Sequence, residues 1–407
     1  MNRRHLLALA GAVAASRDVA MRAQASVDTN LKELLSQDLW SERDGYDACH
    51  YLMIPMHAVF RNPERSAEAE LFVAYMERFT NAWAGGTFAD AGFLNRLQYL
   101  ALVGRYLRVG PMNEQLLDLM VKEHQLLYRE TIYPHWSQGD FASVRDSIEW
   151  KLANPDPERA YYTAIVDAER FGLMIGADLQ AVIGSGAPDH LHEARALGME
   201  VLRQRSTWGE KGEWMFDVGS FWDHPDQAYA GHLEATENME PKPVPGLSWD
   251  SSHSHRLPAM LDAFLPGDDD PEIRDEVQRM RDGLARQLVD HCLVQPDDEF
   301  RSIRLTNYMD GHNGLYRWNY PTQGEGNGYR AYELSGTFLL GWWSLLGNDD
   351  IRTAYQLVAD CYPLAQEEID LYVGPNTTRE RNPLFTLPDA YLPGGMMETC
   401  VKSALLL

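Results

Sequence analysis

Residues 93–107 read FLNRLQYLALVGRYL, and this stretch decides the fold class. Its core-facing positions recur at intervals of three and four: Phe93, Leu97, Leu100, Gly104 and Leu107. That spacing is the period of a helix with one buried face. The same stripe returns in residues 117–124, 191–201 and 273–284. Repeated amphipathic helices without alternating strand patterns predict an all-α protein.

The helices continue through the chain without a low-complexity linker. We therefore expect one closed double ring of helical hairpins, an (α/α)6 or (α/α)7 toroid with an incomplete barrel, rather than separate bundles. Phe338–Leu346 is apolar on nearly every side and predicts a helix enclosed by others. The acidic run at 268–270, followed by Pro271, predicts a helix start.

The N-terminus has the pattern of a signal peptide. Arg3 and Arg4 precede leucines and an apolar run, and Ala23-Gln24-Ala25 is a cleavage signature. The paired arginines favour the twin-arginine route, with an ordinary secretory signal as the alternative. We therefore expect residues 1–25 to be removed and 26–407 to form one catalytic domain, soluble and periplasmic or secreted. No later apolar run approaches the roughly 20 residues of a membrane span.

The formal net charge is −24, from 60 acidic and 36 basic residues. Nucleic acid and anionic membranes need a basic footprint, so neither is expected as the main partner. An anionic substrate remains compatible with this charge, because a few arginines in a cleft set the local field. The four cysteines are scattered without a zinc-like spacing, and we expect buried free thiols.

Two irregular patches carry most of the polar chemistry. The first runs from Trp249 and Asp250 to Arg256 and includes His253 and His255. Ser251 or Ser252 can cap the helix that begins there, so part of this pattern is structural.

The second patch covers 301–320 and continues through 323–333, and it mixes glycines, aromatic rings, amides and guanidinium groups, as a sugar site requires. Its candidates are Arg304, Tyr308, His312, Asn313, Arg317, Trp318, Tyr320, Tyr329 and Glu333. Trp222, in an earlier irregular segment, is a further candidate for substrate binding.

The sequence motifs of several other reaction and binding classes are absent. There is no G-x-S-x-G, and the glycine-rich piece at 324–328 lacks the Lys-Ser/Thr of a phosphate loop. His253 and His255, with Asp250 or His312, could bind a divalent metal, but H-E-x-x-H does not occur. We expect no cofactor.

Two reaction classes remain. An inverting glycoside hydrolase needs two carboxyl groups, for which the candidates are Asp250, Asp310, Glu325 and Glu333. A uronate lyase must neutralise a carboxylate with Arg, Asn or His and then move a proton with Tyr or His. The composition of the two patches favours the lyase.

The signal peptide, the helical hairpins and the site rich in His, Arg, Asn and Tyr resemble the (α/α)-toroid polysaccharide lyases of the alginate and glucuronan type, with polysaccharide lyase family 38 as one candidate family. The resemblance implies cleavage of an anionic polysaccharide by β-elimination. It also implies Tyr308 or Tyr320 as acid and base, with His253 or His255 as partner. Asn313 with Arg317 or Arg256 would then neutralise the carboxylate. The Asn-Asn-His-x-x-Trp signature of one alginate lyase group is absent.

Residues 250–258 also resemble the D-x-x-R-x-P helix of (α/α)6 endoglucanases, although here Arg256 follows Asp250 by six residues. That likeness implies Asp250 as the base of a hydrolase. A uronate epimerase and a non-catalytic sugar-binding protein are the remaining alternatives.

Overall fold

The computed structural model describes residues 29–86, 88, 92–135, 139–155, 160–265, 271–375, 379–387 and 391–407. The predicted signal peptide and the acidic run at 268–270 lie outside these ranges. Helix accounts for 60% of the structure and strand for 5%, so the all-α prediction is confirmed.

The helices of the described ranges are, in chain order, α1 (29–35), α2 (Glu42–Arg61), α3 (Ser66–Ala84), α4 (Phe93–Val109), α5 (Glu114–Gln125), α6 (Val144–Ala153), α7 (Ala160–Thr163), α8 (Asp167–Ile183), α9 (Asp189–Gln204), α10 (Ser251–Ser254), α11 (Leu257–Phe264), α12 (Pro271–Gln287), α13 (Asp349–Asp360), α14 (Gln366–Val373) and α15 (Met396–Ala404). The four segments predicted from the apolar stripe fall within α4, α5, α9 and α12.

Short antiparallel pairs of strands lie between the helices: β1 (Tyr133–His135) with β2 (Gly139–Phe141), β3 (Ser206–Trp208) with β4 (Trp214–Phe216), and β5 (Leu293–Val294) with β6 (Arg304–Leu305). None of these strands exceeds three residues. These strand pairs hold loop segments together by backbone hydrogen bonds and form no layer of the core.

The long helices pack side by side in a continuous order. α2 contacts α4, α4 contacts α8, and α8 contacts α11. α11 then contacts the short helical segment Trp342–Leu346, which contacts α15, and α15 returns to α2. A second set lies against the first: α3 on α2, α9 on α8, α12 on α11 and α13 on α15.

A buried ion-pair cluster fastens four of these helices together. Arg105 of α4 lies 3.0 Å from Asp178 of α8 and 2.7 Å from Asp262 of α11. Arg281 of α12 reaches the other oxygen of Asp262 at 3.1 Å. Removing one member would leave a buried charge unpaired, at a cost of about 3–5 kcal/mol. The cluster therefore fixes how these helices align.

Two local expectations need correction. Phe338–Leu346 is not one α-helix: 3₁₀ turns Ser335–Leu340 and Trp342–Leu346 are separated by Gly341, whose φ of 84° breaks the helix. The cap of α10 is Asp250, whose side chain accepts from the backbone N–H of His253, and neither serine supplies it.

The prediction of buried free thiols is confirmed for Cys49, Cys292, Cys361 and Cys400. Across the described ranges, no helix combines the length and apolar character needed to cross a membrane.

Candidate active site

A cavity of about 440 Å³ opens beside the N-terminal half of α2. Its walls come from α2, from residues 252–256, from the loop 316–333 with the turn that follows, and from α14, α15 and residues 381–382. Small-molecule sites commonly occupy roughly 300–1,000 Å³, so this cavity is large enough to hold a ligand. Its cationic side chains are Arg43, Arg256, Arg317 and Arg381.

The centre of the site is a carboxylate–histidine pair. Asp250 is fully buried, and its Oδ2 lies 2.8 Å from Nδ1 of His253. A carboxylate can only accept, so Nδ1 carries a proton, and in the neutral form of the ring the lone pair lies on Nε2. The ring of His253 lines the cavity and is one-fifth exposed. The pair thus presents a basic nitrogen to a bound ligand.

The local sequence explains why this pair is rigid. Oδ1 of Asp250 accepts the backbone N–H of His253 at 3.0 Å and also the hydroxyl of Ser252. Burial acts to raise the pKa of the Asp250 carboxyl, but His253 and Ser252 outweigh burial and hold the pKa well below its usual value. The carboxylate therefore stays ionised and keeps the histidine in one tautomer.

A second buried carboxylate, Asp226, holds the cavity-lining residues Tyr316 and Arg317. Its Oδ2 accepts the Tyr316 hydroxyl at 3.1 Å and Nε of Arg317 at 3.0 Å. The Tyr316 hydroxyl also lies 3.3 Å from Nδ1 of His253, which connects the two carboxylates. Burial, helped by Asp250 and Asp226, raises the pKa of Tyr316 well above its usual value. Tyr316 therefore remains a neutral phenol.

Arg256 is oriented by three groups. Its guanidinium forms an ion pair with Asp167, its Nε donates to Nε2 of His50 at 3.2 Å, and its NH2 lies 3.5 Å from the hydroxyl of Tyr46. His50 in turn bonds through Nδ1 to the carbonyl of Tyr46 at 2.7 Å. These contacts fix a buried guanidinium at the cavity wall, a geometry suited to carboxylate recognition.

His50 and His255 are neutral bases inside the wall. Burial, and next the charge of Arg256, lowers the pKa of both rings well below the ordinary value. Their ring centroids lie 5.5 Å apart, and both rings contact Trp342. Because His50 accepts from Arg256, its tautomer is fixed with the proton on Nδ1.

The rim of the cavity is charge-balanced. Arg381 bonds to Asp44 at 3.0 Å and to Asp47, and it lies over the Tyr391 ring at 3.9 Å. Arg43 covers the ring of Tyr46 at 3.8 Å. At this edge each of the two guanidinium groups is stacked on a tyrosine ring, which holds the cation in place.

Some of the residues predicted from sequence line this cavity, and others do not. Those that line it are His253, His255, Arg256, Arg317, Tyr329 and Glu333. Asp250 stands directly behind His253. The remaining candidates are held elsewhere by other contacts.

Tyr308, Asn313 and Tyr320, predicted to be catalytic, do not line the cavity. Tyr308 is fully buried and donates its hydroxyl proton to the carbonyl of Leu315 at 2.9 Å. The side-chain oxygen of Asn313 accepts two backbone N–H groups, so it organises the loop. Tyr320 is half-buried under the guanidinium of Arg317.

The predicted substrate-binding residues outside the cavity also have structural partners. His312 bonds to the carbonyl of Ala230 at 2.6 Å, and Arg304 pairs with Asp297. Trp249 stacks on Phe221 with ring centroids 4.7 Å apart. Trp318 lies beneath Arg330, and Trp222 packs on the small apolar cluster that contains Tyr308.

Sequence reasoning missed the contribution of α2. Arg43, Tyr46, Asp47 and His50 recur at intervals of three and four and so share one face of that helix. A polar stripe on a helix that is otherwise buried was the available signal. Tyr316 lay within the second patch but was not selected, and Asp226 carried no local signal.

In the described part of the chain, no group of three or more His, Cys, Asp or Glu side chains is arranged to hold a metal ion. The carboxylates that line the cavity are Asp47 and Glu333. Asp47 is paired with Arg381, and Glu333 accepts the backbone N–H of Arg330 at 2.6 Å.

The chain matches no protein-family model, no curated protein and no solved structure. The assignment of a function therefore depends on the geometry of this cavity.

Proposed function

We propose that the protein is an exported polysaccharide lyase that cleaves a uronate-containing chain by β-elimination. The observation that carries the proposal is the Asp250–His253 pair in a cavity walled by the guanidinium groups of Arg256 and Arg317. Elimination next to a carboxylate needs both a base and fixed positive charge on that carboxylate. The cavity provides both the base and the positively charged groups.

In the proposed reaction, Arg256 and Arg317 bind the uronate carboxylate and lower the cost of carbanion character beside it. Nε2 of His253 removes the proton from the carbon next to the carboxylate. The electrons of that C–H bond form the new carbon–carbon double bond as the bond to the glycosidic oxygen breaks. His253 is left protonated and returns its proton to solvent after product release.

The leaving oxygen needs a proton donor, and Tyr329 is the group we assign. Its ring lines the cavity and lies 5.9 Å from that of Tyr316. Burial raises the pKa of its hydroxyl, so the phenol is protonated and can donate. After product release the Tyr329 phenolate takes up a proton from solvent, which restores the starting state. The Tyr316 hydroxyl, in contrast, already donates its hydrogen bond to Asp226.

The hydrolase alternative is less well supported. Its leading base, Asp250, is buried and accepts from His253 and Ser252. A carboxyl whose pKa is held so low is a weak base toward water.

The order of helix contacts supports the finer fold assignment. α2, α4, α8, α11, Trp342–Leu346 and α15 form a cycle of neighbours, with further helices against its outside. We therefore propose an (α/α)6 toroid with the cavity at one end of the inner ring.

Incubation with polyglucuronate and with alginate tests the function directly. A lyase produces the ultraviolet absorbance of the conjugated double bond together with new reducing ends. New reducing ends without absorbance would replace the proposal with hydrolysis, and binding without either signal would leave a sugar-binding protein.

A further inference from the structure

Tyr46 lines the cavity from α2, and two neighbours on the same face of that helix hold its ring in place. The guanidinium of Arg43 lies 3.8 Å from the ring centroid. The ring of His50 stacks on it, with centroids 4.1 Å apart and an interplanar angle of 28°. His50 also bonds through Nδ1 to the carbonyl of Tyr46 at 2.7 Å. The half-buried ring of Tyr46 is therefore fixed in the cavity wall.

The hydroxyl of Tyr46 acts as an acceptor toward Arg256. A terminal nitrogen of Arg256 lies 3.5 Å from the phenol oxygen, and a guanidinium group has only donors. The oxygen therefore accepts, and the hydroxyl keeps its own proton for another acceptor. Among the described residues, no side chain or carbonyl receives that proton in a hydrogen bond.

The guanidinium of Arg256 also has donors left. Such a group carries five N–H bonds, and His50, Asp167 and Tyr46 are its acceptors among the described residues. The free N–H bonds and the phenol are all donors. A site that offers only donors fits best a group that only accepts, and the ionised carboxylate is the strongest acceptor on a uronate.

Tyr46 also lies near the group assigned as proton donor. Burial raises the pKa of the Tyr329 hydroxyl, Arg317 lowers this pKa, and Tyr46 raises it. Arg317 and Tyr46 are therefore both within electrostatic reach of Tyr329. A carboxylate held by Tyr46 would lie beside the reacting part of the sugar.

We propose, resting on the lyase function above, that Tyr46 is a further substrate-binding residue, whose hydroxyl donates to the uronate carboxylate beside Arg256 and makes the site select the free carboxylate over its methyl ester. Esterification removes the charge, and a hydrogen bond to a charged acceptor is about twice as strong as one to a neutral acceptor. On an esterified polymer, a de-esterifying reaction must then come before this one.

Tyr46→Phe isolates the hydroxyl, because the ring and its contacts with Arg43 and His50 remain. Titration calorimetry with D-glucuronate and with its methyl ester measures the selection without turnover. We expect the wild type to bind glucuronate at least ~10-fold more tightly than the ester. In Tyr46→Phe the affinity for glucuronate should fall at least ~5-fold and that for the ester less than ~2-fold.

Tyr229→Phe is the matched control. Tyr229 is also half-buried, and its hydroxyl likewise accepts one N–H bond, from Asn319 at 3.2 Å. Tyr229 does not line the cavity. Its loss of a hydroxyl should leave the affinities for both ligands unchanged.

Steady-state kinetics on polyglucuronate separate binding from proton transfer. A hydroxyl that binds the carboxylate in substrate and transition state alike mainly affects KM. We therefore expect Tyr46→Phe to raise KM at least ~5-fold while kcat stays within ~3-fold of the wild type. A proton donor to the leaving oxygen would show the opposite pattern.

Three results would overturn this inference: equal affinity of the wild type for glucuronate and its ester, an equal loss for both ligands in Tyr46→Phe, or a fall in kcat at unchanged KM. Absence of measurable binding of either ligand would overturn it as well. If glucuronate binds as expected but no uronate polymer yields an unsaturated product, the lyase proposal fails and the carboxylate site remains.

Discussion

The carboxylate of Asp250 holds His253 twice, by accepting the backbone N–H at 3.0 Å and the ring Nδ1 at 2.8 Å. One residue therefore both starts helix α10 and sets the tautomer of the histidine that faces the cavity. Asp250 therefore has a structural role as the cap of α10 and a proposed chemical role as the partner of the His253 ring, and a substitution can separate the two roles.

Asp250→Asn separates the two roles. Asparagine caps a helix as well as aspartate does, so the fold should persist. It would not stabilise the imidazolium that forms in the proposed reaction, and its amide can select the other tautomer. We expect kcat to fall at least ~100-fold with a small change in the thermal midpoint. Asp310→Asn removes an exposed carboxylate that accepts, from the described residues, two backbone N–H groups at 3.0 and 3.2 Å, and it should keep wild-type kcat.

Tyr329→Phe removes the assigned proton donor without changing the ring that lines the cavity. We expect kcat to fall ~10²-fold or more while KM changes little, because the hydroxyl acts in the transition state. Tyr320→Phe is the matched change at a tyrosine outside the cavity. Steady-state kinetics of both variants would reverse the assignment if Tyr320→Phe were the one that lost activity.

His57 makes stability depend on pH. It is fully buried in α2, and neither ring nitrogen has a hydrogen-bond partner among the described residues. Burial, and next Arg105, lowers its pKa to about 3, against roughly 6.5 in an unfolded chain. Between those values the unfolded chain binds the proton and the folded chain does not, so stability falls as pH decreases from about 6.5 toward 3.

His57→Leu should remove that contribution. Urea unfolding at pH 7 and pH 5 should show the variant gaining about 1–2 kcal/mol over the wild type on acidification. The exposed His192, changed to Gln, serves as the control, because its ring stays in solvent in both states. Parallel pH profiles of the wild type and His57→Leu would contradict this account.

Gly198 allows α9 to approach α11. A Cβ at this position would lie 2.3 Å from Cζ of Phe264, so Gly198→Ala must displace the ring. We expect it to lower the free energy of unfolding by about 1–3 kcal/mol, despite the better helix propensity of alanine. Gly172→Ala in α8 is the matched control, because its new Cβ would meet atoms no closer than 3.6 Å. That change should stabilise by up to about 1 kcal/mol, and denaturant melts would measure both.

The helical class, the positions of α4 and α9, the buried thiols and the cavity-lining segment around His253 could be predicted because each depends on local information. A stripe at intervals of three and four states which face of a helix is buried, and clustered polar residues mark a loop near a site. Residues within a few positions of one another cannot lie far apart. Asp250 and His253 were therefore close in any fold.

The partners of that segment were decided only by the tertiary structure. His50 and Arg256 are 206 positions apart and meet at 3.2 Å, and Asp226 is 91 positions from the Arg317 that it binds. Tyr308 was selected from the sequence and Tyr316 was not, yet Tyr316 lines the cavity and Tyr308 does not. Periodicity specifies a buried face but not what packs against it, because that choice depends on how the helices align around the core. The sequence alone thus determined the helical class and one segment of the candidate site, and the packing of the helices decided the rest.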